Sequence, residues 1–516
     1  MDNVLAATVQ LLEDIMNERS FQISEQQLLE EFDILNLQTR KEYLEFLKDT
    51  FGDDLQTYMM ILSFLLEKND KQEVIDAIDK CLEENAFDYL EYLSYRIQYE
   101  ANLFVRDIEY DKKKHWISKQ KQLDKAISAL RNVLYEHIEW IPYDKRNPNK
   151  VIMFASPLLS ERHAPTYKML NLYRIMEELG YDITVISIST SDIANITSNC
   201  FRNTYAYTSL FTESGSFSQQ MAGVDVKGIH LEVTRNDFFE SAYALLNVVK
   251  KCNPLFCIEF GSDDFLVDLC REITDIISFP MTLSIPANKA NIYIAVRKGV
   301  AEKWEAVLPT NKRVLFTDYK DNIQIECSEE KKTVIEKNND FLAAIVGNRL
   351  DEEVTEEYMD MLENVLEQIN ELKIIFVGEC KEIEKRLSMK ENKDRYIFVG
   401  YVYNLEELIR TFDVYINTPR AGGGSSARMA IKAGIPVISL PECDVAYNVG
   451  PDFCVSSISE MGERLIRYCR DKDYYRAHCE QIATKYIDKD DEYNRQAISQ
   501  LIDTICSIIK SEGGDR

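Results

Sequence analysis

Hydrophobic period divides this chain before any single residue is considered. From Met1 to about His137 apolar residues recur at helical spacing, in LLEDIM, LLEEFDIL, EYLEFLKDTF, YMMILSFLLE, EVIDAIDKCL and YLEYLSYRIQYEANLF, and strand-like alternation is absent. The pattern predicts an all-helical domain over residues 1–140, built from stacked hairpins. A tetratricopeptide-like array is open, although no convincing repeat with a period near 34 is found. Tyr89, Tyr92, Tyr95 and Tyr99 fall on one helical stripe, which reads as a packing face in preference to a peptide-binding groove.

At IPYDKRNPNK two prolines and mixed charges break the helical pattern, and short apolar runs then alternate with helical segments. VIMFAS, a helix through YKMLNLYRIMEELG, and YDITVISIS open a βαβ unit; further strands are predicted at GIHLEV, PLFCIEF, PMTLSI, ANIYIAV and RVLFTD. Residues 203–224, polar and rich in glycine and serine, read as a surface loop or flexible segment. A polar run from Lys320 to Asp340 separates this α/β domain, residues 150–330, from a second one, residues 340–510, with strands at FLAAIVG, LKIIFVG, RYIFVGY, DVYIN and IPVISL. The helices from Ser457 to about Ile509 are expected to pack on the second half and to cross back to the first. Two α/β halves imply a cleft, and open parallel sheets bind ligands just beyond the carboxyl ends of their strands.

The most informative strand end follows Asp413–Asn417, where Pro419 and then Gly422, Gly423 and Gly424 lead directly into a helix that Ser425 and Ser426 are placed to cap. Glycines let a ligand approach the backbone, and the N–H groups of a first helical turn sit at the positive end of the helix dipole, so the loop is predicted to cradle an anion. A plain tight connection is the alternative. Neither a Walker lysine nor a GxGxxG fingerprint with a downstream acid is present, which leaves a nucleoside diphosphate held mainly by backbone donors. Asn348 and Arg349 follow Gly347 at another strand end; the guanidinium suits a diphosphate or simply begins a solvated helix. Tyr401, Val402 and Tyr403 follow Gly400, where backbone groups or an aromatic ring would read a base. Arg420, in the glycine loop, has two readings, with pairing to phosphate preferred over screening of the acidic surface. His163, in SERHAPTYKM, alone among the five histidines lies in a strand-to-helix loop, where a catalytic or substrate-orienting role and a structural one are both open. The acids of Glu259–Gly261–Ser262–Asp263–Asp264 are read as caps of a helix starting near Asp263.

Composition narrows the function classes. A formal net charge of −27 argues against nonspecific nucleic-acid binding, and 516 residues at 45% hydrophobic supply cores for two or three domains. Twelve cysteines without CxxC pairs read as small hydrophobes in a reducing compartment. The N-terminus carries acids within its apolar pattern and lacks a basic n-region, and no run of about 18 apolar residues occurs, so a cytoplasmic protein without a signal peptide or transmembrane segment is expected. HExxH, EF-hand, paired-cysteine zinc and GxSxG patterns are missing, and no DxD pair stands in a convincing loop; a metal-independent site without a cofactor follows as the expectation.

Together these residues resemble glycosyltransferases of the GT-B fold, an α/β class of two facing Rossmann-like domains, here preceded by an all-helical domain; the resemblance covers residues from about Lys150 to Ile509. INTPRAGGGSSARMAIKAGIPVISLP looks most like the donor loop of the O-GlcNAc transferase-like family, with Ser425 and Ser426 in the places of the polar pair that meets the diphosphate. ERHAPTYKM is similar to that family's segment at the first strand end and puts His163 at its active-site histidine, while Tyr401–Tyr403 matches where its backbone meets uracil. The helical domain is similar to the one preceding the GT-B halves of bacterial cytoplasmic protein glucosyltransferases. The resemblance implies transfer of a hexose from a UDP-linked nucleotide sugar to a protein or glycan acceptor, with a partner subunit or homo-oligomer open. Two departures stand beside it. The E-x7-E carboxylates of many retaining GT-B enzymes would fall on Ala421 and Met429, and the family's ribose-binding acid also on Met429. A non-catalytic GT-B relative that binds glycan or supports an active transferase is therefore the alternative.

Overall fold

Among the described residues the helical period of the first quarter resolves into seven helices: Asp2–Met16, Gln22–Asp33, Leu37–Phe51, Leu55–Leu66, Gln72–Glu84, Tyr89–Val105 and Lys112–Leu134. The computed structural model describes the chain apart from the stretches 67–71, 106–109, 135–137, 201–208, 281–284, 320–332, 336–339, 486–490 and 513–516 and scattered single or paired positions, among them 162, 262–263 and 421. In Gln72–Glu84 the buried face is Val74, Ile75, Ile78, Cys81 and Leu82, three to four residues apart, as an amphipathic helix requires. Asn36 starts Leu37–Phe51 by accepting the Thr39 N–H at 3.0 Å.

The tyrosine stripe is a packing face. Tyr92, Tyr95 and Tyr99 are buried, and the Tyr89 ring meets Phe238 and Phe265 at 5.2 and 5.5 Å. Those two phenylalanines belong to the α/β fold that follows. Ser94 shares a 2.6 Å hydrogen bond with Thr197, Trp116 Nε1 donates to the Pro286 carbonyl at 3.1 Å, and one hydrophobic core includes Leu11, Leu130, Phe154 and Leu246. The helical region and the first α/β fold thus share a core within one unit, residues 1–323 with 491–516. Inside the helices His115 lies between Asp79 (2.9 Å) and Glu100 (3.1 Å). Burial opposes its protonation, but the two carboxylates outweigh it and push its pKa up to about 9.

The first unit's sheet comprises β1 (Asn147–Ala155), β2 (Asp182–Ser189), β3 (Gly215–Met221), β4 (Val224–Glu232), β5 (Pro254–Phe260), β6 (Ile276–Phe279), β7 (Ile292–Ala295) and β8 (Arg313–Phe316), in the order β3-β4-β2-β1-β5-β6-β7-β8. All neighbours are parallel except β3 and β4. Val151 pairs with Ile183 on one side and Phe256 on the other, and such central strands, buried on both faces, read as continuous apolar runs. β3 departs from the expected loop: GSFSQQM carries little hydrophobic signal and becomes an edge strand through its antiparallel ladder with β4. Of the strand expected at PMTLSI, residues 281–284 lie outside the described residues; the nearest described strand is β6, immediately before it. The last helix, Asp491–Glu512, returns to this unit, where Arg174 meets Asp491 at 3.0 Å and Arg495 meets Glu178 at 3.3 Å.

The second unit, residues 324–490, holds β9 (Phe341–Val346), β10 (Leu372–Val377), β11 (Tyr396–Gly400), β12 (Val414–Ile416) and β13 (Val437–Ile438), all parallel in the order β11-β10-β9-β12-β13. Alternate residues serve its two cores: Ile345 and Phe376 on one face, Ala344 and Ile375 on the other. Read in chain order the strands run 3-2-1-4-5, the doubly wound Rossmann order, whose switch point lies between β9 and β12. The first unit thus holds the helical region, a Rossmann-like fold and the last helix, and the second unit holds another Rossmann-like fold.

Candidate nucleotide-binding site

Gly347–Arg349 leave β9 and Asn417–Gly424 leave β12, the strands on either side of the switch point, so both loops open at one end of the second sheet. The helix Gly424–Lys432 begins earlier than the serines suggest. Its N-cap is Gly423, at φ 91°, a left-handed conformation that favours glycine. Ser425 and Ser426 lie in the first turn instead of capping it: the Ser426 hydroxyl donates to the Gly423 carbonyl at 3.0 Å and lies 2.9 Å from the Tyr415 hydroxyl. The helical ladder starts when Ala427 N–H reaches Gly423 O at 3.2 Å. The N–H groups of Gly424, Ser425 and Ser426 precede that bond and stand at the positive end of the helix.

Arg420 faces inward, which corrects its reading as a phosphate ligand. Its side chain is 5% exposed and is held on several sides. Nε donates to Asn417 Oδ1 at 3.0 Å, Nη1 pairs with Glu353 Oε2 at 3.0 Å, and Nη2 donates to the Val346 carbonyl at 2.7 Å and the Tyr415 hydroxyl at 3.0 Å. The guanidinium is a floor under the glycine loop. A Cβ on Gly423 would stand 2.5–2.7 Å from it, and a Cβ on Gly347 would stand 2.5 Å from Nη1.

Arg349 is the guanidinium that borders the opening. It precedes the short helix Leu350–Glu353, its side chain is 26% exposed, and its Nη2 lies 3.8 Å from where a Cβ of Gly422 would stand. Its Nε is held by Glu353 Oε1 at 3.3 Å. Asn348 beside it is exposed. Glu353, which the sequence reading missed, thus bridges the two arginines; the one available signal was its i,i+4 spacing from Arg349, which ordinarily marks a surface pair.

Tyr401 and Tyr403 stand at the end of β11, 49% and 40% exposed, with their rings edge to face at 5.4 Å, while Val402 between them is buried in the core. β11 lies two strands from β9, roughly 10 Å along the mouth of the sheet. Ala421 falls outside the described residues, and Met429 packs partly buried against the core.

In the first unit β1 and β5 flank the corresponding reversal of strand order. After β5, Asp264 caps its helix by accepting the Leu266 and Val267 N–H groups at 2.9 and 3.3 Å and also binds the Ser156 hydroxyl from the β1 loop; residues 262–263 are outside the described set. Glu259 is buried and accepts from Asn288 Nδ2 at 2.7 Å. His163 occupies the N-cap of Ala164–Glu178 without a capping bond, and its buried Nδ1 has no hydrogen-bond partner among the described residues. Burial lowers its pKa to about 4. Between pH 4 and the ordinary histidine value the unfolded chain binds this proton and the folded chain does not, so stability is lost as pH falls through that window. His163→Gln is expected to gain stability relative to the wild type, by up to about 3 kcal/mol, as pH is lowered from 7.5 to 4.5. Urea unfolding at several pH values checks this, and a pH-independent difference would contradict the buried neutral imidazole.

No family model and no curated protein matches the chain. It is similar to several solved structures. A mutant of the Thermobaculum terrenum O-GlcNAc transferase is 10% identical, with 100% of this chain and 98% of that one covered and a TM-score of 0.47. Sucrose-phosphate synthase from Thermosynechococcus elongatus is 12% identical over 70% of this chain and 100% of that one, with a TM-score of 0.49. The pneumococcal O-GlcNAc transferase GtfA, solved with UDP and GlcNAc, is 10% identical over 70% and 99%, with a TM-score of 0.46.

Proposed function

We propose that this chain is a glycosyltransferase of GT-B type that takes a hexose from a UDP-linked nucleotide sugar and transfers it to a protein or glycan in the cytoplasm without a metal ion. The observation that carries this reading is the meeting, at the β9/β12 switch point, of a glycine loop, the N–H groups of Gly424–Ser426 and the guanidinium of Arg349. Negative charge develops on a diphosphate as its sugar departs, and donors fixed in advance around it stabilise that state more than the ground state. The Tyr401–Tyr403 segment, further along the same sheet end, is assigned to the base. In the first unit His163, neutral at pH 7, is assigned to orienting the sugar or phosphate, or to accepting a proton.

Purified protein is to be mixed with UDP-, GDP-, ADP- and CMP-linked sugars, with thermal shift and nucleotide release followed in parallel. Stabilisation by a UDP-sugar with nucleotide release is expected; no stabilisation by any of the four would remove the transferase reading. Met429, an apolar side chain where the resemblance calls for a carboxylate, favours a second reading, a non-catalytic GT-B partner or glycan-binding subunit. Stabilisation without release or transfer in the presence of acceptor would select it.

A further inference from the structure

Three donors from two loops of the second unit converge on one buried carboxylate. Glu353, with its side chain 3% exposed, accepts from Arg349 Nε at 3.3 Å through Oε1, and from Arg420 Nη1 at 3.0 Å and the Thr418 hydroxyl at 2.9 Å through Oε2. The two arginines then diverge in environment: Arg420 lies under Gly423, 5% exposed, while Arg349 reaches the opening beside Gly422, 26% exposed.

We infer that Glu353 is a positioning residue for diphosphate binding, an inference that rests on the nucleotide-sugar reading of this site. A guanidinium on a flexible stem loses rotamer freedom when it binds an anion, and that loss is smaller when one edge is already fixed. Glu353 fixes the Nε edge of Arg349 and turns its Nη2 toward the glycine loop. The same carboxylate locks Arg420, on which Gly423 rests, so one acid sets both the cationic wall and the floor of the cradle. Glu353 itself does not need to touch the ligand. Its buried position makes full pairing obligatory, which ties the shape of the cradle to the stability of the unit.

The test is a double-mutant cycle on the full chain, with inorganic pyrophosphate and UDP as separate calorimetric probes. Glu353→Gln keeps the shape and removes the charge; it is expected to weaken both probes by about the same factor, tenfold or more. In an Arg349→Ala background the same substitution is expected to cost about threefold or less, because the wall it positions is gone and only its hold on the Arg420 floor remains. An effect of equal size in both backgrounds marks a merely structural role and overturns the inference, as does unchanged affinity in Glu353→Gln. Thr418→Val is a gentler companion that removes one donor from Oε2 and keeps every charge; should Glu353→Gln fail to fold, a roughly threefold loss of pyrophosphate affinity in Thr418→Val, absent in the Arg349→Ala background, decides the matter, and no loss overturns the inference. Wild-type binding of pyrophosphate without UDP would overturn the nucleotide reading while leaving Glu353 decided by the pyrophosphate arm. Binding of neither overturns both.

Discussion

Arg420→Met is expected to destabilise the second unit by about 3–5 kcal/mol, because it takes the buried ion-pair partner from Glu353 Oε2 and leaves that carboxylate with only the partly exposed Arg349 and the Thr418 hydroxyl. It also removes a donor from the Asn417 side-chain oxygen, the Val346 carbonyl and the Tyr415 hydroxyl, each of which now accepts from the guanidinium. The measurement is denaturant unfolding, with probes in the second unit separated from those in the first, since the two units need not unfold together. A loss below about 1 kcal/mol would show that the guanidinium is not the floor described. Pairing the substitution with Glu353→Leu should recover much of the stability, because replacing a whole buried ion pair by apolar groups is often nearly neutral.

The neighbouring arginine should behave in the opposite way. Arg349→Ala removes a partly exposed guanidinium and leaves Glu353 paired with Arg420 and Thr418, so the unfolding free energy is expected to change by less than in Arg420→Met. Affinity for UDP is expected to fall about a hundredfold, or roughly 2.7 kcal/mol, the scale of a charge-assisted contact to phosphate together with the wall it forms. Calorimetric titration of UDP checks the affinity and the same unfolding experiment checks the stability. Unchanged UDP affinity in Arg349→Ala would take the cation out of the cradle, whatever its proximity to Gly422.

The contrast between these two arginines shows what the sequence makes legible. The strands β9 to β12 are short apolar runs that end in or lead into glycine or asparagine, and hydrophobic period together with glycine punctuation exposes them without knowledge of tertiary contacts. The glycine loop is legible for the same reason. What turns Arg420 inward is Glu353, 67 residues earlier, and nothing in LDEEV separates the buried acid from the half-buried Asp351 and the exposed Glu352. The first helical turn shows the same limit on a smaller scale: two serines are good caps by residue type, yet Gly423 takes the cap because the loop must lie flat on a guanidinium. The helical region reads as separate because its period differs, but its join to the first sheet is made by pairs such as Ser94 with Thr197, 103 residues apart, beyond any local pattern. β3 was hidden because its ladder, and not its side chains, makes it a strand.

His163 lies between these cases. Its place in a strand-to-helix loop is visible in the sequence, whereas its buried, unpartnered Nδ1 and depressed pKa depend on the packing around it.

The central claim is that the switch point of the second sheet grips a nucleoside diphosphate, and amide hydrogen exchange during the UDP-sugar titration tests it most directly. Protection is predicted at Gly422 to Ser426 and around Arg349, saturating together with the thermal shift and lost in Arg349→Ala. Saturable binding with no change in exchange at Gly422 to Ser426, or no saturable binding of any nucleotide sugar, would contradict the account.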